Sequence, residues 1–103
     1  MNNTKWNEIF KVFYNDVECS EDQELSEMII QWTTKSTNGD VYTDTTWTHF
    51  YSESYEDIEW LKIDLTLENR KTVVDILRKI HVPCEITENE AIVCGYRTDV
   101  DYI

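Results

Sequence analysis

From Thr4 to Tyr14 the apolar residues Trp6, Ile9, Phe10, Phe13 and Tyr14 recur every three or four positions, the spacing of one helix face. Thr4 stands where an N-cap belongs, although Asn7 is a weaker third residue than the glutamate of a capping box. Residues 15–24 carry five acids among ten and no apolar period, and read as an acidic connector. The period then changes. Glu27–Thr37 is rich in β-branched and aromatic residues, as strands are. Asn38-Gly39 supplies a hairpin signal, because both central residues of a type I′ turn take positive φ. A return strand is expected from Val41 to Phe50 or Tyr51, a turn over 52–57, and a third strand over 58–66.

Residues 67–80 return to helical spacing. Val73, Val74, Ile76, Leu77 and Ile80 form one stripe, and Arg70, Lys71, Arg78 and Lys79 lie around it. Thr66 is the expected N-cap, Glu68 sits where the helix dipole favours an acid, and Pro83 closes the region. A last hairpin is expected from Cys84–Thr87 and Ala91–Tyr96, turned at 88–90. The order is α-β-β-β-α-β-β. Two helices on one face of a mainly antiparallel sheet of about five strands bury both stripes most economically. The expected fold is therefore an α+β two-layer sandwich, formed by residues 1–103 as a single domain.

Alternation sorts the strands less cleanly around 41–60, which holds six aromatic rings and five carboxylates with no lysine or arginine. In the third strand Leu61, Ile63 and Leu65 share one face, and Ile58, Trp60, Lys62 and Asp64 share the other. Most of these rings are expected to pack across strands, where such pairs are worth roughly 0.2–1 kcal/mol each. Tyr51, Tyr55 and Trp60 are expected to stand partly exposed among Glu53, Glu56, Asp57 and Glu59. Rings flanked by carboxylates meet lysine and arginine through ion pairs and cation–π contacts.

Charge strengthens that expectation. Twenty-one acids against nine bases leave −12, a field that repels nucleic acid and anionic membrane and attracts basic proteins. The charge is uneven: −5 over 1–34, −5 over 35–61, +2 over 62–80 and −4 over 81–103. The start, MNNTKWNEIF, lacks the basic region and apolar run of a secretion signal. No apolar stretch approaches the roughly 18 residues that span a bilayer. Three cysteines, an odd number, suit a reducing compartment, so a cytoplasmic protein is expected.

Catalytic patterns are missing. Two glycines cannot build a phosphate loop, and no Cys-x-x-Cys pair accompanies Cys19, Cys84 and Cys94. The cysteines read as small buried hydrophobes. His81 and Cys84 straddle a proline turn, a poor arrangement for a nucleophile and its base. No calcium-loop spacing occurs, and no metal or cofactor is expected.

Three stretches, MNNTKW at the start, HFYSESYEDIEWLKI at 49–63 and RKIHVPCEITENEAIVCGYRTDVDYI at 78–103, together resemble a family of small uncharacterised bacterial proteins, a domain of unknown function. The resemblance rests on Asn3-Thr4-Lys5-Trp6, Tyr55 with Ile58-Glu59-Trp60, Ile80 through Glu85, Gly95-Tyr96 and Val100 through Ile103. Cys84 stands where the family pattern implies glycine, and 16–46 carries no matching motif. The resemblance implies a bacterial cytosolic origin and little chemistry. It draws attention to His81, Glu85, Glu59, Trp60 and Tyr96.

The functional expectation is a non-enzymatic binding protein, immunity- or inhibitor-like, that grips a basic protein through Tyr51, Glu53, Tyr55, Glu56, Asp57, Glu59 and Trp60. The alternative is a small-ligand or enzymatic pocket near His81, Glu85 and Glu59, with Tyr96 beside it. Monomer and edge-strand homodimer are both open.

Overall fold

The structure, a computed structural model, describes residues 1–50, 55–97 and 99–103. Helix α1 (Asn3–Lys11) runs directly into a π-helical segment, Val12–Glu18, and a short α2 (Gln23–Ser26) follows. Strands β1 (Trp32–Ser36) and β2 (Val41–Asp44) form a hairpin, and β3 (Ile58–Asp64) comes after two single 3₁₀ turns at Trp47–Phe50 and Tyr55–Asp57. Helix α3 (Arg70–Ile80) precedes the hairpin of β4 (Cys84–Ile86) and β5 (Glu90–Cys94). The five strands make one antiparallel sheet in the order β2-β1-β3-β5-β4. The fold is the α+β sandwich, with α2 as a third helix inside the acidic connector.

Register sorts the two faces. Trp32 lies opposite Ile63, Leu61 opposite Val93, and Ile63 opposite Ala91. These five side chains are buried with Trp6, Ile9 and Phe13 of the first helix and Val73 and Leu77 of α3, so both helices cover the same face. The other face carries Lys35, Trp60, Lys62 and Ile92 in register. None of the described helices covers it, and its charges pair among themselves: Lys35 with Glu59 at 3.3 Å and Lys62 with Glu90 at 3.3 Å.

Helix ends follow local chemistry. The α1 cap is Asn2 rather than Thr4: its side chain accepts the Lys5 N–H at 2.9 Å, and its backbone is extended, as a cap requires. Before α3, Thr66 and Asn69 bond reciprocally. The Thr66 N–H donates to Asn69 Oδ1 at 2.8 Å, and the Asn69 N–H donates to Thr66 Oγ1 at 3.1 Å, so Thr66 does act as a cap. At the far end His81 takes φ 67°, ψ 73°, the left-handed conformation that ends a helix before Pro83.

Three local departures from simple alternation shape the sheet. The first hairpin turns over Thr37–Asn38–Gly39, closed by the Ser36 N–H on the Asp40 carbonyl at 2.8 Å. Only Gly39 there has positive φ, 97°, so the connection is a three-residue turn with a left-handed glycine and not a type I′ turn. Second, β2 stops at Asp44 because its carboxylate accepts the N–H groups of Thr45 and Thr46, at 2.7 and 2.9 Å. The chain then rolls into a 3₁₀ turn, which puts positions i and i+3 on one side. Trp47 and Phe50 would point opposite ways in a strand, yet both are buried here. Third, Trp60 faces Lys35 while Ile58 faces Ser36, so Glu59 is an extra residue in β3. The bulge reverses the side-chain alternation, and Ile58 joins the core instead of sharing the open face with Trp60.

Strand β1 is also shorter than its composition suggests. Residues 28–31 are irregular, held by Asn69 Nδ2 donating to the Ile29 carbonyl at 3.3 Å and by Gln31 Nε2 donating to Asp64 Oδ2 at 2.8 Å.

Candidate functional site

Each helix carries a second, lateral stripe beside the one that faces the sheet. On α3, Thr72, Asp75, Ile76, Lys79 and Ile80 follow helical spacing, and on the first helix Thr4, Glu8, Val12 and Asp16 do the same. Together with Leu25 of α2 they line a groove of ≈ 700 Å³ on the outer side of the helical layer. Its apolar floor is Val12, Val17, Leu25, Ile76 and Ile80. The rim carries three carboxylates, Glu8, Asp16 and Asp75, against two amines, Lys5 and Lys79. One amine is already committed, because Lys5 Nζ donates to the Ile80 carbonyl at the end of α3. Leu25 sits among Glu21, Asp22, Glu24 and Glu27, so the field over the groove is negative. The π-helical segment forms one wall, a geometry rare in proteins and frequent at functional positions.

A second cluster lies at the β2 end of the sheet. Asp44 Oδ2 accepts the Tyr42 hydroxyl at 2.7 Å and lies 2.5 Å from His49 Nδ1. The bond from Tyr42, then those from His49 and the Thr46 N–H, hold the Asp44 carboxyl far below the usual carboxylate range. The same bond pushes the Tyr42 hydroxyl upward. Tyr42 and His49 are thereby fixed beside a cavity of ≈ 310 Å³.

A family model covers residues 1–99, nearly the whole chain, and describes DUF6678, a family of unknown function. The chain belongs to DUF6678. No curated protein and no solved structure matches it.

In this DUF6678 protein the aromatic–acidic stretch divides. Tyr55 is 5% exposed and packs 6.0 Å from Phe50, so it is a core ring and not part of an outer face. Its burial follows from the 3₁₀ turn at Tyr55–Asp57 and the bulge behind it, which together turn Tyr55 and Ile58 inward. Glu56 and Asp57 are exposed; Trp60 is half-buried on the open face, where Glu59 is paired with Lys35. Tyr51 and Glu53 lie outside the described residues.

Of the residues expected around a His81 pocket, Tyr96 lines the cavity at this end of the sheet. His81 is exposed, its ring 5.3 Å from that of Tyr102, and Glu85 reaches Arg97 at 3.5 Å. Tyr96 lines a cavity of ≈ 390 Å³ with Pro83, Arg97 and Tyr102, but His81, Glu85 and Glu59 do not.

Sequence reasoning missed the groove and the Asp44 cluster. The groove had a signal in the width of the α3 stripe, since only Val73 and Leu77 of its five apolar residues are fully buried. The Asp44 cluster had none, because it depends on the break in β2.

The three thiols are free. Cys84 and Cys94 are buried and Cys19 is exposed. Register puts Cys84 opposite Val93, so Cys84 and Cys94 occupy opposite faces of the sheet. Burial pushes the Cys84 thiol up to about 12, with the neighbouring Cys94 adding to it, and burial raises Cys94 as well. A thiol reagent such as iodoacetamide is expected to modify Cys19 alone in the folded protein and all three after unfolding, read by intact mass. Rapid native labelling at Cys84 would contradict the packing described here.

Proposed function

We propose that this protein is a non-enzymatic binding protein that seats a basic, amphipathic segment of a partner protein in the groove between α1 and α3. The observation that carries this reading is an apolar floor, Val12, Val17, Leu25, Ile76 and Ile80, under a rim where Glu8, Asp16 and Asp75 outnumber the available amines. A helix presenting aliphatic side chains at i, i+3/i+4 and i+7 fits such a floor, and lysines or arginines on its flanks meet the rim. The charge of −12 steers that encounter and gives it a strong salt dependence.

An immunity or inhibitor role, in which a cytoplasmic bacterial protein covers the basic surface of a nuclease-like toxin, is the most concrete form of this reading. Charge supports it, and so do three free thiols, which suit a reducing compartment. No helix among the described residues is long and apolar enough to cross a membrane.

The test is parallel capture from source lysate by wild type, Asp16→Lys/Asp75→Lys and Glu56→Lys/Glu59→Lys, at low and moderate salt. A basic protein retained by wild type, released by salt and lost from the first variant is the expected result. Asp16 and Asp75 are exposed, so cooperative unfolding is expected to persist. Loss from Glu56→Lys/Glu59→Lys with retention by Asp16→Lys/Asp75→Lys would transfer the interface to the sheet. Identical recovery by all three would defeat the reading.

A further inference from the structure

We propose that the cavity beside Asp44 is a binding site for an organic cation of the guanidinium or alkylammonium class, independent of the groove. Three rings contribute to its walls, Trp32 and Phe50 from the core and Tyr42 from the edge strand, with Thr34, Ser36, Asn38, His49 and Ile58 between them. The Trp32 and Phe50 rings meet edge-on with centroids 5.4 Å apart, and Trp32 and Tyr42 lie 5.6 Å apart, so the three form a continuous aromatic lining. Two carboxylates, Asp40 and Asp57, complete it, and neither has a cationic partner among the described residues. By contrast Glu59, Glu90, Glu85 and Asp99 are all held in ion pairs. No lysine or arginine lines the cavity, and its volume of ≈ 310 Å³ accepts a side-chain-sized group.

The exposed Tyr42 ring, backed by Trp32 and Phe50, and the two free carboxylates together select a cation over a neutral isostere, because the ring quadrupole and both charges act in the same direction. The site is also held in place. Asp44 anchors Tyr42 and His49, and is itself fixed by the Thr45 and Thr46 N–H groups.

The probe is Nα-acetyl-arginine amide, with Nα-acetyl-citrulline amide as its neutral isostere, titrated into ¹⁵N-labelled protein. The arginine compound is expected to shift the amides of Thr34, Tyr42, Asp57 and Ile58 saturably, and the citrulline compound to leave them in place. Asp40→Asn/Asp57→Asn is expected to weaken binding at least about tenfold. Glu88→Gln/Asp101→Asn, which removes the same charge from remote exposed positions, is expected to leave the affinity unchanged. Equal response to both amides, equal weakening by both double variants, or no saturable shift would overturn the proposal. Comparing agmatine with the peptide Gly-Gly-Arg-Gly-Gly then separates the sources. Tighter binding of the peptide assigns the site to a protein side chain, and tighter binding of agmatine assigns it to a free small cation.

Discussion

Gly95→Ala is expected to lower folding stability by about 3 kcal/mol, the upper end of what overpacking a tight site costs. The methyl group would sit 2.3 Å from the Ile58 carbonyl oxygen and 3.1 Å from that of Glu59. Both are backbone atoms of β3, so no side chain can swing aside. The approach is pinned on the glycine side as well, because the Gly95 N–H donates to the Glu59 carbonyl at 2.8 Å. Glycine is required here for space, at the point where β5 passes the bulge, and not for a special φ. Either that bond breaks or β3 shifts, and a β3 shift disturbs both of its neighbours in the sheet. Urea unfolding followed by tryptophan fluorescence measures the loss; a change under about 0.5 kcal/mol, the range of an ordinary surface substitution, would show that the close approach is not present.

Asn69→Leu is expected to cost a comparable amount, about 3–4 kcal/mol, since each buried polar group left unsatisfied costs about 1–3 kcal/mol. Asn69 is 0% exposed and ties three segments together. Its Oδ1 accepts the Thr66 N–H, and its Nδ2 donates to the Ile29 and Asp64 carbonyls at 3.3 and 3.1 Å. Leucine keeps the number of side-chain heavy atoms but strands those groups, and it removes half of the reciprocal cap before α3. The lead into β1 would loosen along with the start of the helix. Urea unfolding should show a lower midpoint at unchanged slope. Stability equal to wild type would mean that these carbonyls find other donors.

Much of this architecture was legible from period alone. The α-β-β-β-α-β-β order, the α3 stripe, the Thr66 cap and the two hairpin positions all follow from local spacing and turn chemistry. Errors gathered where one side chain overrode the period. Asp44 captured the N–H groups that would have continued β2, and so Trp47 and Phe50 were buried from a 3₁₀ turn. The extra residue Glu59 reversed the alternation of β3, which buried Ile58 and left Glu59 and Trp60 on the open face. Neither event has a periodic signature. Tyr55 followed the same inversion: a ring between carboxylates looks like surface until the bulge is known.

The candidate site was less legible than the fold for a related reason. A groove depends on how two helices sit side by side, and sequence supplies each stripe without their separation. The acidic excess was visible in composition. That it rims an apolar floor on the helical layer, while the charged residues of the open sheet face largely pair with one another, follows only from the packing.

The most direct test of the account uses two synthetic peptides of identical basic and aliphatic composition. One has its leucines on a single helical face, and the other has them dispersed. Titrated into ¹⁵N-labelled protein, the amphipathic peptide should bind at least about tenfold tighter than its dispersed twin. Its largest shifts should fall on Val12, Val17, Leu25, Ile76 and Ile80, and Asp16→Lys/Asp75→Lys should abolish the difference. Equal affinity for the two peptides, or shifts centred on the sheet, would mean that the acidic field acts without the groove and would contradict the account.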